Sequence, residues 1–420
     1  MDRPEQPGNR KVIRYNFIAN VGDGTLFSFG LSFVSLITVF PILIKTVGGG
    51  NISLSLIPVL WTIGFNFPQI IMANRVRTYP FKKKIVLRTA LLQRLPWLIL
   101  AGFTFFLIPA LGKSIALAIL LGGLLLAAVG GSINLPGWFE LISKITPVHL
   151  RGSLFALRSL GGALLGITGG WIVKQVLDHF SFPLNFSILF LCAFTTMMLS
   201  YLFLAILREP EPSPIDQVFR RRDFFIKIWQ ILKEDKNFRF FLIADAGMMC
   251  ALMADAFYTV NALQKFSLSY SFAGIFIMII MASIITANPI FGLLADNFGH
   301  RLNLLFAAGF ITLACVVARF APGIEMYCLV FVASACTASL LQISRLPIIA
   351  EICKEKDRSV YVALTNLVTS PFILAALCGG WLANHYGYNL VFMIAGIVAL
   401  GTMCWLLLIF REPRKQYTLS

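Results

Sequence analysis

Long apolar runs alternate with short polar connections along the whole chain. Twelve such runs can be distinguished, and they are numbered here as spans 1 to 12 in chain order. They lie near residues 17–44, 52–74, 85–109, 114–142, 152–177, 183–207, 239–263, 270–294, 302–320, 325–350, 359–383 and 388–410. A helix needs about 20 mostly apolar residues to cross the hydrocarbon core of a bilayer. The pattern therefore predicts an all-α integral membrane protein with twelve transmembrane helices.

The composition excludes several other classes of protein. Of the 420 residues, 58% are hydrophobic and 13% are charged, whereas soluble domains carry about 25% charged residues. A soluble enzyme, a disordered chain and a disulfide-rich secreted module are therefore excluded. The eight cysteines form no CxxC pair, so no metal site is expected, and no cofactor is expected either.

The distribution of positive charge predicts how the chain is oriented. The formal net charge is +16, and 27 of the 35 Lys and Arg residues fall on one set of connections, against five on the other set. Because basic connections stay in the cytoplasm, both termini are predicted to be cytoplasmic in the cell inner (plasma) membrane. The excess charge is an orientation signal, so nucleic acid is not an expected partner.

The longest polar interruption separates the first six spans from the last six. It contains an apolar stripe formed by Val218, Phe225, Trp229 and Leu232. Basic residues lie mostly off this stripe, which predicts an amphipathic helix at the inner leaflet. The predicted organisation is an N-terminal six-helix bundle over 1–207, a cytoplasmic linker over 208–238, and a C-terminal six-helix bundle over 239–420.

The two halves carry matching landmarks at nearly constant offsets. Arg208-Glu209-Pro210 recurs as Arg411-Glu412-Pro413, 203 residues later, and Gly169-Gly170-Trp171 recurs as Gly379-Gly380-Trp381, 210 residues later. A parallel repeat of six helices is the architecture that two-lobed secondary transporters use for alternating access. The repeat therefore predicts two pseudo-symmetric bundles.

The connection between spans 8 and 9 reads Gly-Leu-Leu-Ala-Asp-Asn-Phe-Gly-His-Arg over 292–301. This segment resembles the G-x-L-A-D-x-x-G-x-[RK] signature of the major facilitator superfamily. The resemblance implies the fold of that family and a cytoplasmic latch in which Gly292 permits close helix contact, Asp296 faces a helix N-terminus and Arg301 supplies a counter-charge. The predicted latch residues are Gly292, Asp296, Gly299 and Arg301, with Asn74 at the equivalent position of the first half.

Span 5 contains glycines on one helical face at positions 162, 166 and 170. The segment is similar to a G-x-x-x-G-P-x-G-G pattern associated with antiporter branches of the superfamily, except that Ile167 replaces the proline. Generic packing of small residues between helices explains the same face. Both interpretations stay open at the level of the sequence.

Ionisable residues inside spans are costly and usually functional. The acids are Asp23, Glu140, Asp245 and Asp255, and the bases are Arg94, Arg158 and Arg345. Glu140 with Arg158 and Asp23 with Arg94 are expected pairs, whereas Asp245 either shares one cavity wall with Asp255 or pairs with Arg345. The candidates for charge pairs and gating are therefore Arg94, Glu140, Arg158 and Arg345. One acid then lacks a partner.

A buried carboxyl group without a counter-ion favours its proton-bound form, which makes such an acid a candidate for proton coupling. Asp255, near the middle of span 7, is the first choice, followed by Asp23 and Asp245. The family resemblance places spans 1, 4, 7 and 10 around a central cavity. Polar candidates for contact with a substrate in such a cavity are Asn134, Tyr258, Asn261 and Gln342.

The sequence therefore favours a secondary active transporter that exports a small molecule in exchange for protons. Proton-coupled uptake of a small organic solute by symport is the alternative. A membrane-embedded enzyme is a remote alternative, because the four histidines are scattered and form no catalytic set. The expected partners are a small-molecule substrate and membrane lipids, and the protein is expected to be a monomer.

Overall fold

The computed structural model of the protein describes residues 7–76, 78–212, 230–353 and 358–413. All regular secondary structure in these ranges is helical. Most of the predicted amphipathic linker helix lies outside them. The side chain of Asn74, which was predicted to belong to the latch, also lies outside the described residues.

Seven α-helices form the first half of the chain. They are α1 (Pro7–Ser32), α2 (Val39–Thr46), α3 (Asn51–Val76), α4 (Lys82–Phe106), α5 (Lys113–Ile145), α6 (Val148–His179) and α7 (Leu184–Ile206). The connections between them are short, as the sequence pattern predicted. Pro136 lies within α5, which nevertheless runs without interruption for 33 residues.

The second half contains more and shorter helices. They are α8 (Lys236–Ala251), α9 (Tyr258–Lys265), α10 (Phe272–Phe298), α11 (His300–Phe320), α12 (Ile324–Ser344), α13 (Pro347–Ile352), α14 (Arg358–Thr369), α15 (Ala375–Tyr386) and α16 (Tyr388–Leu408). The carboxylate of Asp235 accepts a hydrogen bond from the backbone N–H of Phe238 at 2.8 Å and so caps the start of α8. Span 7 corresponds to α8 and α9, span 10 to α12 and α13, and span 11 to α14 and α15.

Eleven helical segments among the described residues are long and apolar enough to cross a membrane. The first span, which corresponds to α1 and α2, is not one of the eleven. Polar residues on α1, including Asn16, Asn20 and Asp23, lower its mean hydropathy. The prediction of an all-α, multi-pass membrane protein is confirmed.

The chain divides into two compact units. The first unit comprises residues 1–35 and 67–218, and the second comprises residues 36–66 and 219–420. In the first unit α4 packs against α5 and α7, while α1 packs against α6 and α7. In the second unit α11 packs against α12 and α16, and α16 packs against α8. Equivalent helices of the two halves therefore pack against equivalent neighbours.

Two helices approach each other especially closely in the first unit. A Cβ atom at Gly130 of α5 would collide with the backbone of Leu92 and Gln93 on α4. Small residues permit this kind of contact between membrane helices. On α6, Gly162 lies against Ser28 of α1, where an added Cβ would be 2.6 Å from the serine Cβ. The glycine face of span 5 thus serves helix packing, which fits the generic interpretation of that face.

The first span of each half is interrupted. In the second unit α8 ends at Ala251, a 3-10 turn follows over Leu252–Ala254, and α9 begins at Tyr258. In the first half α1 ends at Ser32 and α2 begins at Val39. Broken membrane helices leave backbone groups without helical partners, and in transporters such breaks form binding sites for ions and substrates. Asp255 lies in the second of these breaks.

Candidate functional site: buried charges in each unit

Asp23 of α1 is the acidic centre of a polar cluster inside the first unit. Its Oδ2 lies 3.0 Å from the guanidinium of Arg158 on α6, and its Oδ1 accepts a hydrogen bond from Ser200 Oγ at 2.8 Å. Arg94 of α4 is more distant, at 3.9 Å. The acid therefore lies near both arginines that occur inside the spans of this unit, and Arg158 is its closer partner.

Arg94 is almost completely buried and all three of its nitrogen atoms donate hydrogen bonds. Nε donates to the carbonyl of Met197 at 2.8 Å, one terminal nitrogen donates to the carbonyl of Ala90 at 3.0 Å, and the other donates to Ser200 Oγ at 3.1 Å. Because Met197 and Ser200 are on α7, this side chain connects α4 to α7. Satisfaction of a buried guanidinium by several acceptors reduces the cost of removing it from water.

Arg158 is held against α1. One terminal nitrogen donates to the carbonyl of Asn20 at 2.6 Å and to the side-chain oxygen of the same residue. The ring of Trp138 lies 4.8 Å from the guanidinium carbon. A Cβ at Gly24 would collide with the guanidinium, so the glycine provides the space that Arg158 occupies.

The expected pair of Glu140 and Arg158 does not form. Glu140 of α5 lies 3.1 Å from Lys82 Nζ at the start of α4, and Lys82 also donates to the carbonyl of Val76 at 2.8 Å. The reason is the rotation of the helices. The face of α6 that carries Arg158 packs against α1, whereas Glu140 points to the N-terminus of α4.

The second unit contains a neutral ion pair. Both carboxylate oxygens of Asp245 accept hydrogen bonds from Arg345, each at 2.8 Å, in the bidentate geometry that strengthens such pairs. Arg345 also donates to Asn366 and Thr369, both at 3.1 Å. Asp245 is fully buried. The structure thus brings together the two residues that the sequence suggested as a pair.

Asp255 differs from the other two acids because no basic side chain in the described part of the chain forms an ion pair with it. It lies in the break between α8 and α9 and is half-buried. Among residues 230–353 and 358–413, its carboxylate has no hydrogen bond and no ion pair in the structure. It interacts electrostatically with the buried side chains of Tyr258 and Cys315.

Two of the polar residues predicted to contact a substrate instead take part in a buried network beside Asp255. Asn261 donates to Tyr327 Oη at 3.0 Å, and that hydroxyl donates to the carbonyl of Tyr258 at 2.9 Å. The hydroxyl of Tyr258 lies 3.4 Å from Cys315 Sγ. These contacts connect α9 to α11 and α12.

The remaining two substrate-contact candidates have different environments. Asn134 of α5 is buried and accepts a hydrogen bond from Thr89 Oγ1 of α4 at 2.9 Å. Gln342 of α12 is exposed. Helix-to-helix hydrogen bonds thus account for the side chain of Asn134, while Gln342 is left accessible.

The motif over 292–301 has a different geometry from the one expected. A Cβ at Gly292 would meet nothing within 4 Å, so no helix of the same unit makes the expected close contact there. Arg301 donates to the carbonyls of Leu406 and Leu407, at 3.0 and 2.7 Å, and therefore caps the C-terminal end of α16. Asp296 is exposed on the last turn of α10.

The structure explains why the motif has a glycine at position 299. Its φ angle is +88°, which favours glycine, and an added Cβ would lie 2.6 Å from the carboxyl carbon of Glu412. The same carboxylate accepts a hydrogen bond from the backbone N–H of Arg301 at 3.2 Å. Glu412 thus caps the N-terminus of α11, and Gly299 makes room for it.

The repeated Arg-Glu-Pro segment performs the same task in each unit. In the first unit, Glu209 accepts hydrogen bonds from the backbone N–H groups of Lys82 and Lys83, at 2.9 and 2.8 Å, at the start of α4. The preceding Arg208 exchanges two backbone hydrogen bonds with the Asn16 side chain, both at 2.8 Å.

Asn237 makes the equivalent pair of hydrogen bonds with Arg411 in the second unit, at 3.1 and 3.3 Å. The sequence revealed the repeated segments but not their partners. Asn16 and Asn237 are 221 residues apart, and each lies near the start of the first span of its half. These matching positions were the signal in the sequence that could have revealed the two asparagines.

These features define a polytopic membrane protein built from a repeated helical unit, with ion pairs buried inside each copy.

Comparison with known proteins identifies the class further. Residues 247–420 match the profile of the Major Facilitator Superfamily. Two relatives, both named multi-drug resistance efflux pump PmrA and from two strains of Streptococcus pneumoniae, are 24% identical over 149 residues, or 34% of this chain. The chain spans 37% of the length of these curated relatives.

Solved structures share the fold over nearly the whole chain. A mutant of the nucleoside transporter NupG has a TM-score of 0.71 at 12% identity, covering 95% of this chain and 100% of that chain. A bacterial homolog of the human lysosomal transporter Spinster has a TM-score of 0.68 at 12% identity, covering 98% of each chain. A D-xylose–proton symporter has a TM-score of 0.67 at 14% identity, covering 96% of this chain and 98% of its own.

The profile match over residues 247–420 and the fold shared over nearly the whole chain agree with the resemblance to the major facilitator superfamily noted at 292–301. This family consists of transporters and not of enzymes. The match over residues 247–420 agrees with the sequence-based prediction that the protein is not an enzyme.

Proposed function

We propose that the protein exports a small molecule across the plasma membrane by alternating access, in exchange for protons. In this proposal it acts as a monomer with both termini in the cytoplasm. The N-terminal bundle (1–207) and the C-terminal bundle (239–420) are the two moving bodies, and the linker (208–238) connects them.

The observation that carries the proposal is the environment of Asp255. A carboxylate at a break in a membrane helix, without a counter-ion among the described residues of its unit, is costly while charged and more stable while protonated. Asp23 and Asp245 each lie within an ion pair, so each of them already has a counter-ion. Asp255 is therefore the proposed proton-binding residue, and the other two acids are secondary candidates.

The remaining candidate residues have proposed roles in gating and in contact with the substrate. Arg94, Glu140, Arg158 and Arg345 would stabilise individual conformations through their ion pairs and hydrogen bonds. The 292–301 motif, with Asn74 at the equivalent position in the first half, would form the latch. Gln342 is the most accessible of the four predicted substrate contacts, so it is preferred over Asn134, Tyr258 and Asn261.

The direction of transport rests on a distant relative. The matched curated proteins are named efflux pumps, which favours export. The similarity in fold to a D-xylose–proton symporter supports the second candidate, proton-coupled uptake. Both functions use the same proton site, so the direction needs an experiment of its own.

A transport assay in everted membrane vesicles tests the proposal. The purified protein is first screened at two pH values for compounds that raise its thermal stability, since ligands stabilise the state that binds them. A stabilising compound is then added to vesicles with a preset proton gradient. Dissipation of the gradient supports export by antiport, whereas compound-driven acidification of the lumen supports symport.

Asp255→Asn is the variant that tests the proton site. We expect it to abolish the compound-dependent change in the proton gradient while the compound still stabilises the protein. Glu211→Gln, at an exposed position outside the spans, is the matched control and should behave like the wild type. Intact coupling in Asp255→Asn would show that the proton site lies elsewhere.

A further inference from the structure

The cluster around Asp23 contains more positive than negative charge. Two arginines, Arg94 and Arg158, surround a single carboxylate, at 3.9 and 3.0 Å. The other acids of the first unit that form ion pairs have their own bases: Glu140 pairs with Lys82, Asp178 with Lys174, and Glu209 with Lys144. One positive charge of the cluster is therefore uncompensated within the described part of this unit.

The uncompensated positive charge of the cluster is assigned to Arg158. All three nitrogen atoms of Arg94 have acceptors, whereas hydrogen bonds of Arg158 involve one terminal nitrogen. Its Nε and its other terminal nitrogen have no hydrogen bond to the described residues. These two nitrogens form the edge of a guanidinium that binds a carboxylate in bidentate geometry.

A second donor without an acceptor belongs to a direct neighbour of Arg158. Asn20 is fully buried, and its Nδ2 has no hydrogen-bond partner among the described residues, although its side-chain oxygen accepts from Arg158. Buried polar groups are nearly always paired. Asn20 Nδ2 and the two nitrogens of Arg158 together therefore present three donor atoms without acceptors among the described residues, which is the pattern of an anion site.

Access and neighbouring groups specify the ligand further. Arg158 is 13% exposed, whereas Arg94 is 2% exposed, so Arg158 is the arginine that a ligand can reach. The ring of Trp138 lies 4.8 Å from its guanidinium and provides an apolar surface. Because the cluster carries one uncompensated positive charge, the expected ligand carries one negative charge.

We infer that Arg158 and Asn20 form a binding site for the carboxylate of a monoanionic organic molecule. In the transporter proposed above, on which this assignment rests, that molecule is the transported solute. Arg158 would bind the carboxylate through its free edge, and Asn20 Nδ2 would donate to one of the carboxylate oxygens. Asp23 would hold Arg158 in position from the opposite side.

Thermal unfolding of the purified full chain with three probes tests the site. Benzoate, benzylamine and benzyl alcohol share a ring and differ in charge. We expect benzoate to raise the melting temperature in a concentration-dependent way, and the other two probes to have no such effect. Inorganic phosphate distinguishes a carboxylate site from a general anion site, and we expect it to stabilise the protein less than benzoate does.

Two variants test whether benzoate binds at Arg158 and Asn20. Arg158→Gln should weaken benzoate binding by about tenfold or more, since it removes a charge-assisted hydrogen bond. Asn20→Asp supplies an internal carboxylate beside Arg158 and should weaken benzoate binding to a similar extent while the protein stays folded. This second variant keeps the test valid if Arg158→Gln does not fold.

Asp255→Asn belongs to the other unit and should bind benzoate like the wild type. If it loses proton coupling and keeps benzoate binding, the carboxylate site and the proposed proton site are separate functions. The assignment is overturned if benzoate does not stabilise the wild type, if benzylamine stabilises it equally, or if benzoate binds Asn20→Asp with unchanged affinity.

Discussion

Individual charged residues differ in how completely the surrounding protein neutralises them. Asp245 has one bidentate arginine, and Asp23 has one close arginine and one distant arginine. Asp255 has none among the described residues. The acids of the spans therefore have separate expected roles, although the sequence presents them as equivalent. A neutralised acid maintains the structure, and an acid without a counter-ion is free to exchange a proton.

Asp245→Asn should destabilise the second unit strongly. Removal of the carboxylate leaves the Arg345 charge buried without a partner, and the loss of one partner from a buried ion pair costs about 3–5 kcal/mol. Chemical unfolding of the purified protein in detergent measures this change. The double variant Asp245→Asn with Arg345→Met should recover part of the loss, because no charge is then left unpaired.

Asp178→Asn is the control for this experiment. Asp178 pairs with Lys174 at 2.9 Å across one helical turn, and both side chains are about one-third exposed. Such pairs contribute only about 0.3–0.5 kcal/mol. A loss of stability in Asp245→Asn that was no larger than in this control would contradict the structural role assigned to the buried pair.

Helices are positioned by a few close contacts and by the groups that cap their ends. The approach of α4 to α5 depends on the absence of a side chain at Gly130. The start of α4 depends on the Glu209 carboxylate, and the start of α11 on that of Glu412. Short connections alone would not fix these helix ends, because the first N–H groups of a helix need acceptors from elsewhere in the chain.

Gly130→Ala should lower the stability of the first unit by about 1–3 kcal/mol, the usual cost of an added methyl group in a packed core. The new Cβ would collide with the backbone of Leu92, which cannot move aside like a flexible side chain. Thermal unfolding in detergent measures the effect. Gly122→Ala on the same helix meets nothing within 4 Å and should be neutral or slightly stabilising; equal effects of the two changes would contradict the close contact.

Glu209→Ala should cost about 1–3 kcal/mol. It removes a charged acceptor from two backbone N–H groups and from Lys144, whose Nζ lies 2.7 Å away, and such hydrogen bonds contribute more than neutral ones. Hydrogen exchange should increase at the first turn of α4. The exposed side chain of Glu211 provides the control, since Glu211→Ala should leave that turn protected.

The whole molecule repeats one arrangement of helices, and the orientation of that arrangement in the membrane is a separate question. Equivalent packing of α4 with α7 and of α11 with α16 reflects the duplication seen in the sequence. Orientation is predicted from charge, since 27 basic residues lie on one set of connections and five on the other. The energetic preference for basic connections in the cytoplasm acts on the complete chain.

Reporter fusions test this orientation. Green fluorescent protein fused after Ser420 should fluoresce, because the C-terminus is predicted to be cytoplasmic. Alkaline phosphatase inserted at Gly49 should be active, because that connection is predicted to be external. Insertion at Tyr79, in a connection predicted to be cytoplasmic, should give an inactive phosphatase. The reverse pattern would mean that the charge distribution does not set the orientation.

The sequence by itself determined the class of the protein, the approximate positions of its spans and the duplication. These features depend on apolar runs of bilayer length and on recurring local motifs, which do not require knowledge of distant contacts. It also offered the pair of Asp245 with Arg345 as one of two arrangements, and the structure contains that pair. The sequence did not predict the residues at which the helices end or the break in span 7 at Asp255.

Only the tertiary structure decided which charges meet. Rotation of a helix about its axis changes every side-chain partner and leaves the hydrophobic pattern of a membrane span almost unchanged, since lipid and protein interior are both apolar. Arg158 therefore contacts Asp23 and not Glu140, and Arg301 caps α16 through its guanidinium. The sequence specified which ionisable groups enter the membrane, and the packing of the helices determined which of them are neutralised there.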